Sequence, residues 1–243
     1  METDNRDKID LSIIIPCYNE SHRIIGTLKE LFAFLDLQSF TSEVRVMDDA
    51  STDNCVALMK EHFQRPDFYI HQFTKNCGKG YSIKVGVEES FGKYIMFMDA
   101  DLSVPVEEIL NLLKTLQDGY DVVLGIRIFH IQHASRIRRI IGFALLLYIN
   151  IILPMPQVSD TQCGFKGFSR IAARTLFKKI RIHGGMFDVE VLFLANLLGY
   201  KMKSIPVNWY ERPGSTIRIF RCLITDPFDI IKIRINSLLG IYL

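Results

Sequence analysis

The 243-residue chain has no run of the ~18–20 apolar residues that a bilayer-crossing helix requires. Its opening, METDNRDKID, is polar and lacks the apolar core of a signal peptide. Five cysteines (Cys17, Cys55, Cys77, Cys163 and Cys222) are scattered with no C-x-x-C pair among them. An odd, scattered set argues against a disulfide framework or a structural zinc site, and for reduced thiols facing the cytosol. No G-x-G-x-x-G follows the first apolar run, which argues against a dinucleotide site. FTKNCGKGYS contains Gly-Lys, but without the upstream glycine or the following Ser/Thr of a P-loop. Internal repeats, low-complexity tracts and linkers are missing, as is any recognised nucleic-acid-binding module.

What is present reads as a globular chain, 49% hydrophobic and 23% charged. The net charge of +2 conceals an asymmetry. Residues 1–121 carry 12 Lys/Arg against 21 Asp/Glu, whereas residues 122–187 carry 10 against 1. An acidic half suited to a nucleotide or metal then adjoins a surface able to receive an anion, although a solvated basic face reads the same from charge alone.

Apolar β-branched runs alternate with helical stripes, the pattern of a mostly parallel sheet covered on both faces. Strands are expected at 11–16, 43–49, 68–73, 93–99, 120–126 and 201–210, the last an edge strand because of Pro206. Helices are expected at 20–35, from Ser51-Thr52-Asp53 onward, at 80–91, 106–116, 135–153, 170–178 and 186–200. The stretch PMPQVSDTQCGFKGF is read as irregular.

Polar residues concentrate where three of these strands end: Pro16-Cys17-Tyr18-Asn19-Glu20, Asp48-Asp49-Ala50-Ser51 and Asp99-Ala100-Asp101. Ligands of open α/β sheets bind at such strand ends. Asp99 and Asp101 close an otherwise apolar strand, and two like charges so near each other call for a cation. Oxygen-only ligands of this kind suit Mg²⁺ or Mn²⁺, with substrate phosphates completing the shell.

With these residues in place, IIIPCYNE, VMDDAST, NCGKG, FMDADLSVP, GIR and DTQCGFK together resemble the family 2 glycosyltransferases of GT-A fold. DADLSVP, DTQCGFKGF, MFDVEVLFLA and VNWYERPGS more narrowly resemble dolichyl-phosphate β-glucosyltransferases and related polyprenyl-phosphate glycosyltransferases. The resemblance implies an α/β, mostly parallel (mixed) sheet over residues 1–215 and a C-terminal amphipathic segment over 216–243. It implies that Pro16, Tyr18, Glu20, Asp48, Lys79 and Asp99 bind a nucleotide-sugar. Asp99 and Asp101 are the implied metal ligands, and Arg127 with Arg136, Arg138 and Arg139 the implied acceptor-phosphate site. Asp160, Asp188 and Glu190 are placed around the sugar, with Asp101, Arg127, Asp160 and Asp188 as the catalytic set. Mannosyl members often carry Gln at the position of Ser103. Members also carry membrane anchors, and none is read here.

The expected activity is inverting transfer of a hexose, glucose from UDP-glucose, to a dolichyl or polyprenyl phosphate. Transfer from GDP-mannose and a non-catalytic nucleotide-sugar or lipid-phosphate binder are the alternatives. Residues 140–153, uncharged and preceded by Arg136, Arg138 and Arg139, read equally as buried core or as a membrane-facing segment. With the basic, apolar C-terminus they suggest a monotopic protein on a cytosol-facing membrane, the endoplasmic reticulum in a eukaryote or the inner or plasma membrane in a prokaryote.

Overall fold

The computed structural model describes residues 8–129, 136–155, 160–211 and 219–242. In its first half strands and helices alternate: β1 (Leu11–Cys17), α1 (Ile24–Leu35), β2 (Ser42–Asp48), α2 (Cys55–His62), β3 (Phe68–Gln72), α3 (Lys79–Glu89), β4 (Tyr94–Phe97) and α4 (Glu108–Gln117). There follow β5 (Val122–Phe129), α5 (Arg136–Ile152), β6 (Lys166–Ser169), α6 (Arg170–Lys179), α7 (Phe187–Leu197), β7 (Met202–Trp209) and α8 (Ile219–Leu238). The seven-stranded sheet has the order β3-β2-β1-β4-β6-β5-β7. Only β6 runs against its neighbours, β4 and β5. As expected from Pro206, β7 lies at an edge, paired with β5 alone.

The reversal of β6 positions the site. Six strands deliver their carboxyl ends to one edge, and β6 starts at that edge. Lys166, its first residue, lies opposite Phe97 of β4 and Leu124 of β5. The DTQCG segment before it therefore arrives beside the ends of β4 and β5. The sequence reading missed β6, a four-residue strand containing a glycine and a fully buried lysine. Gly167 is needed there because a Cβ would stand 2.4 Å from Leu112 Cδ2 of α4.

Alternation along β1 divides the core. Ile13 and Ile15 face the cluster formed with α1, α2 and α4, while Ile14 faces the cluster of α3, α6 and α7. Burying each such side chain is worth about 1.5–3 kcal/mol. Helix α7 is buried all round from Phe187 through Ala195, its two carboxylates Asp188 and Glu190 included. Helix α5 has two faces among its described side chains: Ile149 is buried, whereas Ile151 is 70% exposed. Helix α8 behaves likewise, with Ile230 and Ile233 buried and Phe228 and Leu238 exposed. Tyr148 of α5 donates to the Pro227 carbonyl of α8 at 3.4 Å, tying the two helices together. Among the described residues no helix is long and apolar enough to cross a membrane.

Two helices begin later than expected. Helix α1 starts at Ile24 rather than Glu20, and α2 at Cys55 rather than at Ser51-Thr52-Asp53. In both cases the polar residues before the helix are engaged across the loops.

Candidate active site

The loops after β1, β2 and β4 each contain a non-glycine residue in the left-handed region: Asn19 (φ 56°), Ala50 (φ 60°) and Leu102 (φ 51°). Such conformations cost free energy and persist where the surroundings over-determine them, often at functional sites. Here the surroundings are explicit. Asn19 N–H donates to Ser51 Oγ at 2.9 Å, and Asn19 Oδ1 accepts from Thr52 N–H at 2.7 Å. Asp53 accepts from Ser21 N–H at 2.9 Å. These polar residues thus staple one loop to the next.

Asp49 extends the staple to a third loop, accepting from Cys77 N–H at 2.7 Å and from Gly78 N–H at 2.8 Å. Gly78 is required by its φ of 94° and because a Cβ would lie 2.5 Å from the His183 carbonyl oxygen. This fixes Lys79 as the first residue of α3, with its ammonium 2.6 Å from Asp99 Oδ1. Burial works against that ammonium's charge, but Asp99, Asp188 and Asp101 outweigh it and hold its pKa above the ordinary lysine value.

Asp99 and Asp101 both lie at this edge. Asp101 Oδ1 accepts from Ser103 N–H at 2.9 Å, and Arg23 stands 4.0 Å from Oδ2. Arg23 also pairs with Glu20, at 2.8 Å from Nη2 to Oε1. Behind Asp99 lies Gly164, where a Cβ would come within 2.0 Å of Asp99 Oδ2. Only glycine leaves room for the carboxylate in this position. Two hard-oxygen carboxylates, one seated against a glycine backbone, fit a Mg²⁺- or Mn²⁺-type ion.

The second half of the chain completes the edge. Arg127 forks onto Asp160, with Nε to Oδ2 at 2.7 Å and Nη2 to Oδ1 at 2.9 Å, and lies 5.7 Å from the Trp209 ring centroid. Burial disfavours both charges, yet the pairing prevails: Arg127 is held above its ordinary pKa and Asp160 below its own. Deeper lies a second pair, Lys166 Nζ to Asp188 Oδ1 at 2.7 Å, with Lys166 also donating to the Cys163 carbonyl at 2.5 Å. Burial pushes the Asp188 carboxyl up despite Lys166 and Lys79. It likewise pushes the Cys163 thiol up to about 11, so this cysteine packs rather than attacks.

The edge thus brings together Glu20, Lys79, Asp99, Asp101, Arg127, Asp160 and Asp188, with Tyr18 exposed and Pro16 half-buried beside them. Two residues of the expected set are fully buried and engaged by the protein itself. Asp48, expected to line the base pocket, is fully buried; it accepts from Ser51 N–H at 3.2 Å and takes the Cys55 thiol at 3.3 Å, so it shapes the loop from beneath. Cys17, Asp48 and Cys55 form a buried group there, with the two sulfurs 4.0 Å apart. Glu190, expected near the sugar, stands two residues from Asp188 on α7, about 200° around the helix. It accepts from the Arg181 and Ile182 N–H groups at 2.9 and 2.7 Å and from the Tyr242 hydroxyl. The side chains of Arg136, Arg138 and Arg139, in the first turn of α5, lie outside the described residues. The sequence reading gave no role to Arg23, Asp49, Gly164, Lys166 or Trp209. The glycine and lysine of DTQCGFKGF were the available signal, hidden because the strand they serve was not recognised.

Comparison with known proteins gives the family and the fold. The model of the family described as Glycosyl transferase family 2 matches residues 12–177. The chain is 31% identical to a dolichyl-phosphate β-glucosyltransferase of Dictyostelium discoideum, over 97% of this chain and 77% of that protein. It is 32% identical to the protein of the same name from Saccharomyces cerevisiae, over 99% of this chain and 79% of that one. Its fold is shared by glucosyl-3-phosphoglycerate synthase of Mycobacterium tuberculosis, solved with Mn²⁺, UDP and glucosyl-3-phosphoglycerate. That match has a TM-score of 0.70 at 14% identity, covering 93% of this chain and 80% of the other. Motifs, sheet order and relatives converge, and the chain belongs to glycosyltransferase family 2, with the GT-A fold.

Proposed function

We propose that this protein transfers glucose from UDP-glucose to a dolichyl-type polyprenyl phosphate, with inversion at the anomeric carbon. The observation that carries the reading is the convergence on one sheet edge of the Asp99/Asp101 pair and the Arg127–Asp160 fork. One supplies a site for the donor's diphosphate, the other a fixed cation for an anionic acceptor. The full-length relatives, named dolichyl-phosphate β-glucosyltransferases, support the choice of sugar and lipid.

A phosphate acceptor is already anionic near neutral pH, so it needs no strong base to act as a nucleophile. What it needs is orientation and charge compensation. Arg127, locked in one plane by Asp160 and backed by Trp209, presents such a cation, and Arg136, Arg138 and Arg139 add charge at the start of α5. Asp99 and Asp101 would hold the divalent ion, whose chemistry is to stabilise the departing diphosphate. Pro16, Tyr18 and Glu20 sit where the nucleoside is held, and Asp188, paired with Lys166, faces the transferred sugar.

The exposed apolar residues of α5 and α8, among them Ile151, Phe228 and Leu238, support seating on a membrane surface. Incubation with radiolabelled UDP-glucose or GDP-mannose and a short polyprenyl phosphate tests the assignment. Glucolipid formed from UDP-glucose, and abolished by EDTA, is expected. Label transferred only from GDP-mannose, or full turnover in excess EDTA, overturns it.

A further inference from the structure

The Lys79 ammonium sits 2.6 Å from Asp99 Oδ1, on a carboxylate that lies against Gly164, where a Cβ would stand 2.0 Å from Oδ2 and 2.6 Å from Oδ1. A divalent ion approaching this carboxylate therefore meets an ammonium already on one of its oxygens. The lysine is also built to leave. Its charge sits on a flexible four-carbon stem, whereas its backbone is pinned by the neighbouring Gly78 N–H bonded to Asp49 at 2.8 Å. Of the other carboxylates within its electrostatic reach, Asp188 has its own partner in fully buried Lys166, and Asp101 accepts from Ser103 N–H with Arg23 4.0 Å away. Movement of Lys79 thus strands no buried charge, the event that makes breaking an ion pair expensive.

Resting on the reading of Asp99 and Asp101 as metal ligands, we propose that Lys79 is the counter-ion of Asp99 in the donor-free protein. Its ammonium yields Oδ1 only by moving onto the donor's diphosphate. Lys79 competes with a divalent ion for one oxygen and gains a better partner when nucleotide arrives. Metal and nucleoside diphosphate then bind as a coupled pair, each weak alone. Coupling of this kind is typically worth about 5–150-fold in affinity and is reciprocal.

The test is titration of Mn²⁺ alone, followed by the electron paramagnetic resonance signal of the free ion, with and without saturating UDP. The proteins compared are wild type, Lys79→Met, Lys79→Gln and Lys79→Arg, with folding checked by circular dichroism. Lys75→Met, which removes an exposed cation from the same loop, is the control for general charge. Lys79→Met and Lys79→Gln should bind Mn²⁺ alone about tenfold more tightly than wild type, while the gain on adding UDP shrinks towards none. Lys79→Arg, which retains a cation and the best chance of folding, should keep weak binding of Mn²⁺ alone. Unchanged or weaker Mn²⁺ affinity in the neutral variants, tightening in the Arg variant, or equal tightening in Lys75→Met overturns the proposal. Wild type that binds no Mn²⁺ even with UDP defeats the metal reading itself, and the proposal with it.

Discussion

Gly164 and Asp160 show how much single positions decide at this edge. A methyl group at 164 would collide with Asp99 Oδ2 at 2.0 Å, so Gly164→Ala must rotate the carboxylate out of place. Disturbing the support of a metal ligand typically costs about 10–100-fold in metal affinity. A loss of that order in Mn²⁺ affinity measured with UDP, at a nearly unchanged melting temperature, is the expected outcome. Asp160 works by a different route, through its fork with Arg127. Its pKa is depressed in the folded protein, so its contribution to stability is present above the ordinary value of 3.8 and lost as pH falls through the lower, folded value. Asp160→Asn should cost about 1–2 kcal/mol near neutrality, a figure reduced because the Arg127 side chain keeps 25% exposure. Urea denaturation should show this gap closing as pH falls below 3.8 and through the lower folded value. A gap independent of pH would mean that packing, not charge, holds Arg127.

At the scale of elements, those with an unbroken pattern were legible. β1 and β4 are apolar runs stopped by polar residues, β2 alternates charged and apolar residues up to Asp48, and the three ends converge as the sequence implied. The starts of α1 and α2 were not legible. Asn19, Ser51 and Asp53 satisfy partners on neighbouring loops, which no local pattern reveals. Asp188 and Glu190 stand two apart in sequence, yet one joins the site and the other lies behind it, because α7 turns between them. α5 and α8 carry a prediction of their own. Their outer faces expose Leu147, Ile151, Phe228 and Leu238. Withdrawing each such side chain from lipid should cost about 1.5–3 kcal/mol, roughly tenfold or more in partitioning. Ile151→Ser with Leu238→Ser should therefore abolish flotation on anionic liposomes while leaving UDP binding intact. Flotation that persists places the membrane contact elsewhere.

For the whole molecule, the acidic first half and the basic middle meet at one sheet edge, and the antiparallel strand β6 joins them. The last residues of the chain reach the same framework from behind. Tyr242 is fully buried; its hydroxyl donates to Glu190, it accepts from Asn236 Nδ2 at 3.3 Å, and its carbonyl receives Lys179 Nζ at 2.6 Å. Glu190 is therefore the anchor of the C-terminus onto α7, the helix that presents Asp188. Tyr242→Phe leaves a buried carboxylate one donor short, a loss of about 1–3 kcal/mol. In a chain of this size that lowers the melting temperature by roughly 2–12 °C. The pH dependence follows from the sign of the shift. Burial raises the Glu190 pKa in the folded state, so ionisation of Glu190 already costs stability as pH rises from its ordinary value of 4.5 through the raised one. Without the tyrosine donor the ionised form is poorer still. The difference between Tyr242→Phe and wild type should be largest at neutral pH and shrink towards pH 4.5 and below. Affinity for UDP should be unaffected, because Glu190 points away from the nucleotide edge. If Tyr242→Phe weakens UDP binding without lowering the melting temperature, Glu190 serves the site directly and the anchor role is wrong.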